Sequence, residues 1–226
     1  MSRGFFITGT DTGTGKTLIA CALLRALALR GFRVAAMKPV ASGCHPTGNG
    51  LRNDDANKLM TCASVALTYD IVNPYALPAP IAPHLAAREI GMRIKIDTII
   101  AAYRAAASQA DCVVVEGAGG WLVPINESET MADLAEALQI PVILVAGIRL
   151  GCINHALLTT AAMDARRVGL AGWIANTIDP ECMRSADIVS SLRERIAAPL
   201  LGIVPHQTDL NVDAIAGLLD IDRLLT

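Results

Sequence analysis

The residues best placed to do chemistry stand in one short stretch, Gly9-Thr10-Asp11-Thr12-Gly13-Thr14-Gly15-Lys16-Thr17. It lies between an apolar run, Phe5-Phe6-Ile7, and an apolar-periodic segment that begins at Leu18. A strand, a glycine loop and a helix start are therefore expected. Three glycines let the backbone wrap with its N–H groups inward, and the helix that follows begins with unpaired N–H groups and the positive end of its dipole. A phosphate chain is the natural occupant: Lys16 would reach the outer phosphates, and the Thr17 hydroxyl would take a magnesium ion. The loop reads G-x5-G-K-T, one residue longer than the usual pattern. The plainer alternative is a tight strand-to-helix turn that happens to contain Lys-Thr.

Other candidates follow along the chain. Val34-Ala35-Ala36-Met37-Lys38-Pro39 reads as a second strand delivering Lys38 at its carboxyl end, where ligands of open parallel sheets bind; a solvated lysine is the alternative. The Gly-, Ser- and Pro-rich segment 41–53 is expected to be a loop carrying Ser42, and Asn53-Asp54-Asp55-Ala56 either starts a helix or supplies Asp55 as a ligand. Cys112-Val113-Val114-Val115-Glu116 reads as a buried strand ending in a carboxylate, followed by Gly117-Ala118-Gly119-Gly120. Burying that carboxylate costs several kcal/mol unless it is paired, so magnesium is a natural partner, with a helix-capping or salt-bridged glutamate as the alternative. Leu150-Gly151-Cys152-Ile153-Asn154 opens another helix whose free N–H groups could hold a second anion. Asn176-Thr177 ends a fifth strand with an amide suited to a purine edge, and Asn176-Thr177-Ile178-Asp179 resembles an N-K-x-D element without its lysine, which leaves the base preference open. His84 reads as a helix-start or packing residue.

The elements that must position these groups are legible from composition and periodicity. With 226 residues, 53% hydrophobic and only 4% aromatic, the chain is expected to build one domain, 1–226, around an aliphatic core. Six apolar strands alternate with helices, which predicts an α/β fold: a doubly wound, mainly parallel sheet in a three-layer sandwich, with right-handed crossovers. Segment 64–95 is punctuated by prolines and reads as an irregular excursion at the sheet rim. A net charge of −2 argues against nucleic acid as a partner. Only four of the nineteen basic residues are lysines, and Lys16 and Lys38 are two of them. The six cysteines never approach C-x-x-C spacing and read as small buried hydrophobes in a reducing compartment, with no zinc site; no membrane-spanning stretch is seen, and a cytoplasmic protein is expected.

Taken together, the phosphate loop, Lys38-Pro39-Val40-Ala41-Ser42-Gly43, Asn53-Asp54-Asp55-Ala56, Ala82-Pro83-His84, Val115-Glu116-Gly117-Ala118-Gly119-Gly120-Trp121 and Leu150-Gly151-Cys152-Ile153-Asn154-His155 resemble the dethiobiotin synthetase family over nearly the whole chain. The longer loop is that family's pattern, within the phosphate-loop NTPase fold. The resemblance implies that 7,8-diaminononanoate, CO2 and MgATP give dethiobiotin, ADP and phosphate through a carbamate and a carbamic-phosphoric anhydride. It implies ATP contacts from Thr12, Gly13, Thr14, Gly15, Lys16, Thr17, Asp55, Glu116, Gly117, Ala118 and Gly119. Catalytic roles fall to Lys16 and Lys38, magnesium to Thr17, Asp55 and Glu116, and the base pocket to Asn176, Thr177, Pro205, His206 and Gln207. Ser42 would meet the diamine or carbamate. In the implied homodimer, Gly151, Cys152, Ile153 and Asn154 would hold the substrate carboxylate from the opposite subunit. Two departures stand out: Gly13 where the family often has an acid, and Ile188 where it has an aromatic.

Two other classes share the fold. A partitioning or metal-carrier ATPase usually carries a lysine early in its phosphate loop, where this chain has Asp11. A cobyrinate-type amide synthetase needs a glutaminase domain that 226 residues do not supply.

Overall fold

The computed structural model describes residues 3–206 and 211–225. The chain opens with β1 (Arg3–Gly9), α1 (Lys16–Leu29), β2 (Val34–Met37) and a two-residue β3 (Val40–Ala41), then a hairpin of β4 (His45–Thr47) and β5 (Gly50–Arg52). Next come α2 (Asp54–Cys62), α3 (Tyr69–Val72), β6 (Tyr75–Ala76), α4 (Pro83–Glu89) and α5 (Ile96–Ala107). The rest is β7 (Cys112–Gly120), α6 (Met131–Leu138), β8 (Val142–Ile148), α7 (Cys152–Ala165), β9 (Leu170–Thr177), α8 (Ser185–Arg195), β10 (Leu200–Val204), α9 (Val212–Ala216) and α10 (Asp222–Leu225).

The six expected strands form one parallel sheet in the order β10-β9-β8-β1-β7-β2. Because β1 lies between β7 and β8, the winding reverses there, and the loop after β1 opens at the crevice where such sheets bind ligands. Alternation along the strands explains why both faces are covered. Phe5 and Ile7 of β1, Val114 of β7 and Ile143 and Val145 of β8 pack with α1 and α9, whereas Phe6, Val113, Val115 and Leu144 pack with α5, α6, α7 and α8. Strands apolar on both sides have no solvent face, which is why they read as unbroken Val, Ile, Leu and Ala.

Two expectations need correcting. Segment 41–53 is not a plain loop: Val40–Ala41 pairs with Tyr75–Ala76, and His45–Thr47 pairs antiparallel with Gly50–Arg52 across a Gly48-Asn49 turn. The hairpin is short, with β4 exposed and only Leu51 and Arg52 of β5 partly buried, so it lacks the apolar alternation that marks a strand in sequence. Glu116, expected to end its strand, sits in the middle of β7, opposite Ile7, and after an irregular stretch the strand pairs again at Gly120, opposite Gly9.

Asn53 caps α2, its side-chain oxygen accepting from the backbone N–H of Asp55 at 3.0 Å and of Ala56 at 3.2 Å. Asn53→Ala should therefore cost about 1 kcal/mol, read as a lower urea midpoint with an unchanged slope, whereas Asn53→Asp should retain most of the stability.

Candidate active site

The loop between β1 and α1 closes around backbone that only glycine permits at two points. Gly15 has φ +85, and a Cβ there would stand 2.2 Å from Asn176 Nδ2; a Cβ at Gly9 would stand 2.4 Å from Thr14 Oγ1. Inside the loop the Lys16 ammonium donates to the Asp11 carbonyl at 2.8 Å, and Thr14 Oγ1 donates to the same oxygen at 3.3 Å. Asp11 Oδ1 accepts from Thr12 N–H at 2.7 Å, and Asp11 Oδ2 pairs with Arg149 at 2.9 Å. Thr12 and Gly13 line its exposed rim.

Lys16 is 6% exposed, and its burial, helped next by the Lys38 ammonium, lowers its pKa from 10.5 to about 8. Lys38, directly after β2, is just as buried, at 5% exposed. Its ammonium donates to Glu116 Oε1 at 2.5 Å and to the Gly117 carbonyl at 3.2 Å, and stands 3.6 Å from Asp55 Oδ2. Thr17 Oγ1 donates to the same Glu116 oxygen at 2.9 Å. Four elements thus bring Thr17, Lys38, Asp55 and Glu116 together, and the alternative of a solvated Lys38 is excluded.

Glu116 itself is 1% exposed, and its Oε2 finds no hydrogen-bond partner among the described residues. An orphaned, buried carboxylate oxygen beside a hydroxyl and a second carboxylate fits a hard divalent cation such as Mg2+, which takes one or two carboxylates and completes its shell with water and phosphate oxygens. Among the described residues no cluster of three or more His, Cys, Asp and Glu side chains forms a closed metal cage.

Beside these groups lies a cavity of about 490 Å³ lined by Thr12, Lys38, Ser42, Asp55, Ala118 and Gly119. Ser42 Oγ is buried without a partner among the described residues. A larger cavity, about 580 Å³, opens at the other end of the strands between Ile140 and Ala171 and holds none of these groups.

The remaining candidates fall into two places. Asn176 and Thr177 end β9 beside β10, with Pro205 and His206 directly after it. Asn176 is already engaged, its Nδ2 donating to the Thr14 carbonyl at 2.8 Å, so it ties the phosphate loop to the sheet. Gln207 lies outside the described residues. Gly151, with φ +90, caps α7, and Cys152 N–H, expected to be free, donates to the Arg149 carbonyl at 3.1 Å. The N–H groups of Ile153 and Asn154 remain at that helix start, next to Leu150, which is 92% exposed.

Two residues that sequence reasoning passed over hold the site together. Asn73 Nδ2 donates to the Lys38 carbonyl at 2.6 Å, Lys38 N–H donates to the Val72 carbonyl at 2.8 Å, and Tyr69 Oη donates to Asn73 Oδ1 at 3.0 Å while accepting from Asn53 N–H at 2.7 Å. The chain excursion at 64–95 is therefore the frame that fixes Lys38 against the cap of α2. The Asn73-Pro74 pair was its signal, since a buried amide before proline needs partners of its own.

A family model described as an AAA domain matches residues 3–214. The ATP-dependent dethiobiotin synthetase BioD of Cellvibrio japonicus (strain Ueda107) is 48% identical over 223 residues, 99% of this chain and 98% of its own length. That of Pseudomonas aeruginosa (strain UCBPP-PA14) is 50% identical over 221 residues, 97% of each. The chain belongs to the ATP-dependent dethiobiotin synthetase family. It is thus a ligase, as the resemblance implied. Solved structures share the fold at low identity: a ParA family ATPase from Chlorobium tepidum TLS has 17% identity and a TM-score of 0.58 over 99% of this chain and 93% of its own. The MinC:MinD complex of Aquifex aeolicus has 17% identity and a TM-score of 0.59 over 97% and 88%. The buried lysine pair and the orphaned glutamate oxygen lie together beside the loop between β1 and α1. No helix among the described residues is long and apolar enough to cross a membrane.

The lowered pKa of Lys16 has a sign that can be measured. Between about pH 8 and 10.5 the unfolded chain binds more protons at this lysine than the folded one, so the cost of burying its charge fades as pH rises through that window. Phosphate anions favour the ammonium and draw the proton back. Near pH 8.5, where roughly three quarters of Lys16 is neutral, ATP binding should take up a corresponding fraction of a proton. Calorimetry in buffers of different ionisation enthalpy checks this, and buffer-independent heats at that pH would remove Lys16 from the phosphate site.

Proposed function

We propose that this enzyme uses MgATP to convert 7,8-diaminononanoate and CO2 into dethiobiotin, ADP and phosphate, a step of biotin biosynthesis. The observation that carries the reading is the buried Lys38, which joins the phosphate loop and Glu116 on one side to the cavity of Ser42 on the other. A lysine there can serve both a transferring phosphoryl group and a carbamate. The relatives that bear this name supply the substrate.

In the sequence of events, one amine of the diamine adds to CO2 and loses a proton, giving a carbamate. A carbamate oxygen attacks the γ-phosphorus and ADP leaves; the second amine then attacks the carbamoyl carbon, closes the cyclic urea and expels phosphate. Lys16 and Lys38 neutralise charge on the phosphoryl oxygens, and the unpartnered Ser42 hydroxyl has a free donor for the carbamate. Thr17, Asp55 and Glu116 would hold Mg2+, which when bound offsets phosphate charge. Thr12, Gly13, Thr14 and Gly15 wrap the phosphates, Gly117, Ala118 and Gly119 border them, and Asn176, Thr177, Pro205 and His206 form the base end.

The homodimer is part of the same proposal. Leu122, Leu150 and Leu158 are all more than half exposed, and Leu122 and Leu158 border a hollow shared with Thr10, Asp11 and Thr12 of the phosphate loop. A second copy seated there would bring its helix start at 151–154 toward the diamine, with Ile153 and Asn154 N–H available to its carboxylate.

The test follows oxygen. With 18O-labelled bicarbonate, the mechanism transfers one labelled oxygen into inorganic phosphate and consumes ATP only when the diamine is present; label-free phosphate, or hydrolysis without diamine, supports a switch ATPase instead. Lys38→Ala should lower turnover by about 10²–10³. Glu116→Gln should raise the magnesium needed for half-maximal rate, and an unchanged requirement would remove Glu116 from the metal site.

A further inference from the structure

The phosphate loop carries a single acid, Asp11, in a stretch built to receive a polyanion. Its carboxylate has a task in the shape of the loop: Oδ1 accepts from the Thr12 N–H at 2.7 Å, while the Asp11 carbonyl receives the Lys16 ammonium at 2.8 Å and the Thr14 hydroxyl at 3.3 Å. The charge that comes with it works against the site. Burial, and next the Lys38 ammonium, lower the pKa of Lys16, and Asp11 is among the carboxylates that oppose the shift, so its field reaches the lysine that faces the phosphates. A carboxylate at that range also repels phosphate oxygens. The remaining oxygen, Oδ2, accepts from the Arg149 guanidinium at 2.9 Å. Arg149 follows directly on β8, the neighbour of β1 in the sheet, and its carbonyl is held by the Cys152 N–H at 3.1 Å, so the guanidinium reaches the loop from a fixed point of backbone.

We propose that Arg149 is a positioning residue for ATP: it cancels the Asp11 charge at the mouth of the phosphate loop and acts on the nucleotide through Asp11, without touching it. The proposal rests on the reading of this loop as the phosphate site. The two side chains are 42% and 47% exposed, so the effect is modest in size and sensitive to salt. A guanidinium suits the place because it stays charged throughout the working range of pH. Asparagine at position 11 would keep the acceptor for the Thr12 N–H and drop the charge, which separates the two tasks of Asp11.

MgATP binding is measured by calorimetry, without diamine, for the wild type, Arg149→Met, Arg149→Lys, Asp11→Asn and the combination of Arg149→Met with Asp11→Asn. Arg149→Met should weaken binding about fivefold at low salt. That loss should largely vanish at about 0.5 M NaCl, where exposed charges are screened. Arg149→Lys should keep most of the affinity. Asp11→Asn should bind at least as tightly as the wild type, and the combined variant should return to wild-type affinity, since no unpaired carboxylate then faces the phosphates. A role in folding alone would lower the urea midpoint but produce neither the salt dependence nor the rescue. Wild-type affinity in Arg149→Met, or weakened binding in Asp11→Asn, would overturn the proposal. So would a loss that persists in the combined variant, which would mean that Arg149 meets the phosphates itself. A wild type that binds no MgATP would overturn the reading of the loop and the proposal with it, and the wild-type titration alone tells that failure apart.

Discussion

Lys38 and Glu116 lie side by side out of water, with side chains 7% and 1% exposed, and form an ion pair. Desolvating such a pair costs more than its attraction returns unless the remaining lone pairs and protons are also engaged. Here the Lys38 ammonium also reaches the Gly117 carbonyl and Asp55, and Glu116 accepts from Thr17, but Oε2 is left open. That open oxygen, buried at the end of the crevice, is where the proposed cation would bind. β7 supplies Glu116, the end of β2 supplies Lys38, and the first turn of α2 supplies Asp55.

The outer parts of the chain serve the same pair. α2 is capped by Asn53, whose N–H is bonded to Tyr69, which bonds Asn73, which holds the Lys38 carbonyl. Arg52 lies over the Tyr69 ring, 4.0 Å from its centre. On the other side Asn176 anchors the phosphate loop through Thr14, and Arg149 anchors it through Asp11. The loop is therefore held from β8 and β9 together, and its shape is largely set before nucleotide arrives. Preorganised charge of this kind acts on a transferring phosphoryl group without first having to reorganise.

How much of this could be read beforehand depended on whether a residue's signal was local. The loop at 9–17, the six strands and the placing of Lys38 and Glu116 at the loop's end of the sheet were legible because each rests on a short pattern: glycine spacing, unbroken apolar runs, a charge after one. The hairpin at 45–52 escaped because its strands are three residues each with no apolar alternation, and only its Gly48-Asn49 turn announced it. Tyr69 and Asn73 escaped for a different reason. Their partners, Asn53 and Lys38, lie 16 and 35 residues away, and no periodicity links a hydroxyl and an amide to backbone groups so distant. Cys152 was misjudged on a smaller scale, since a turn bond to Arg149 takes the N–H that a bare helix start would have left free.

The central claim is that the buried Lys38–Glu116 pair organises the site, and a double-mutant cycle tests it most directly. Stability of the ligand-free protein is measured by urea unfolding for Lys38→Met, Glu116→Gln and the combined variant. Each single change takes away the remaining group's closest partner and should cost about 3–5 kcal/mol, while the combined variant should cost no more than the worse single one. Additive losses, with the double variant destabilised by the sum of the two, would mean that the two charges do not depend on each other and would contradict the account.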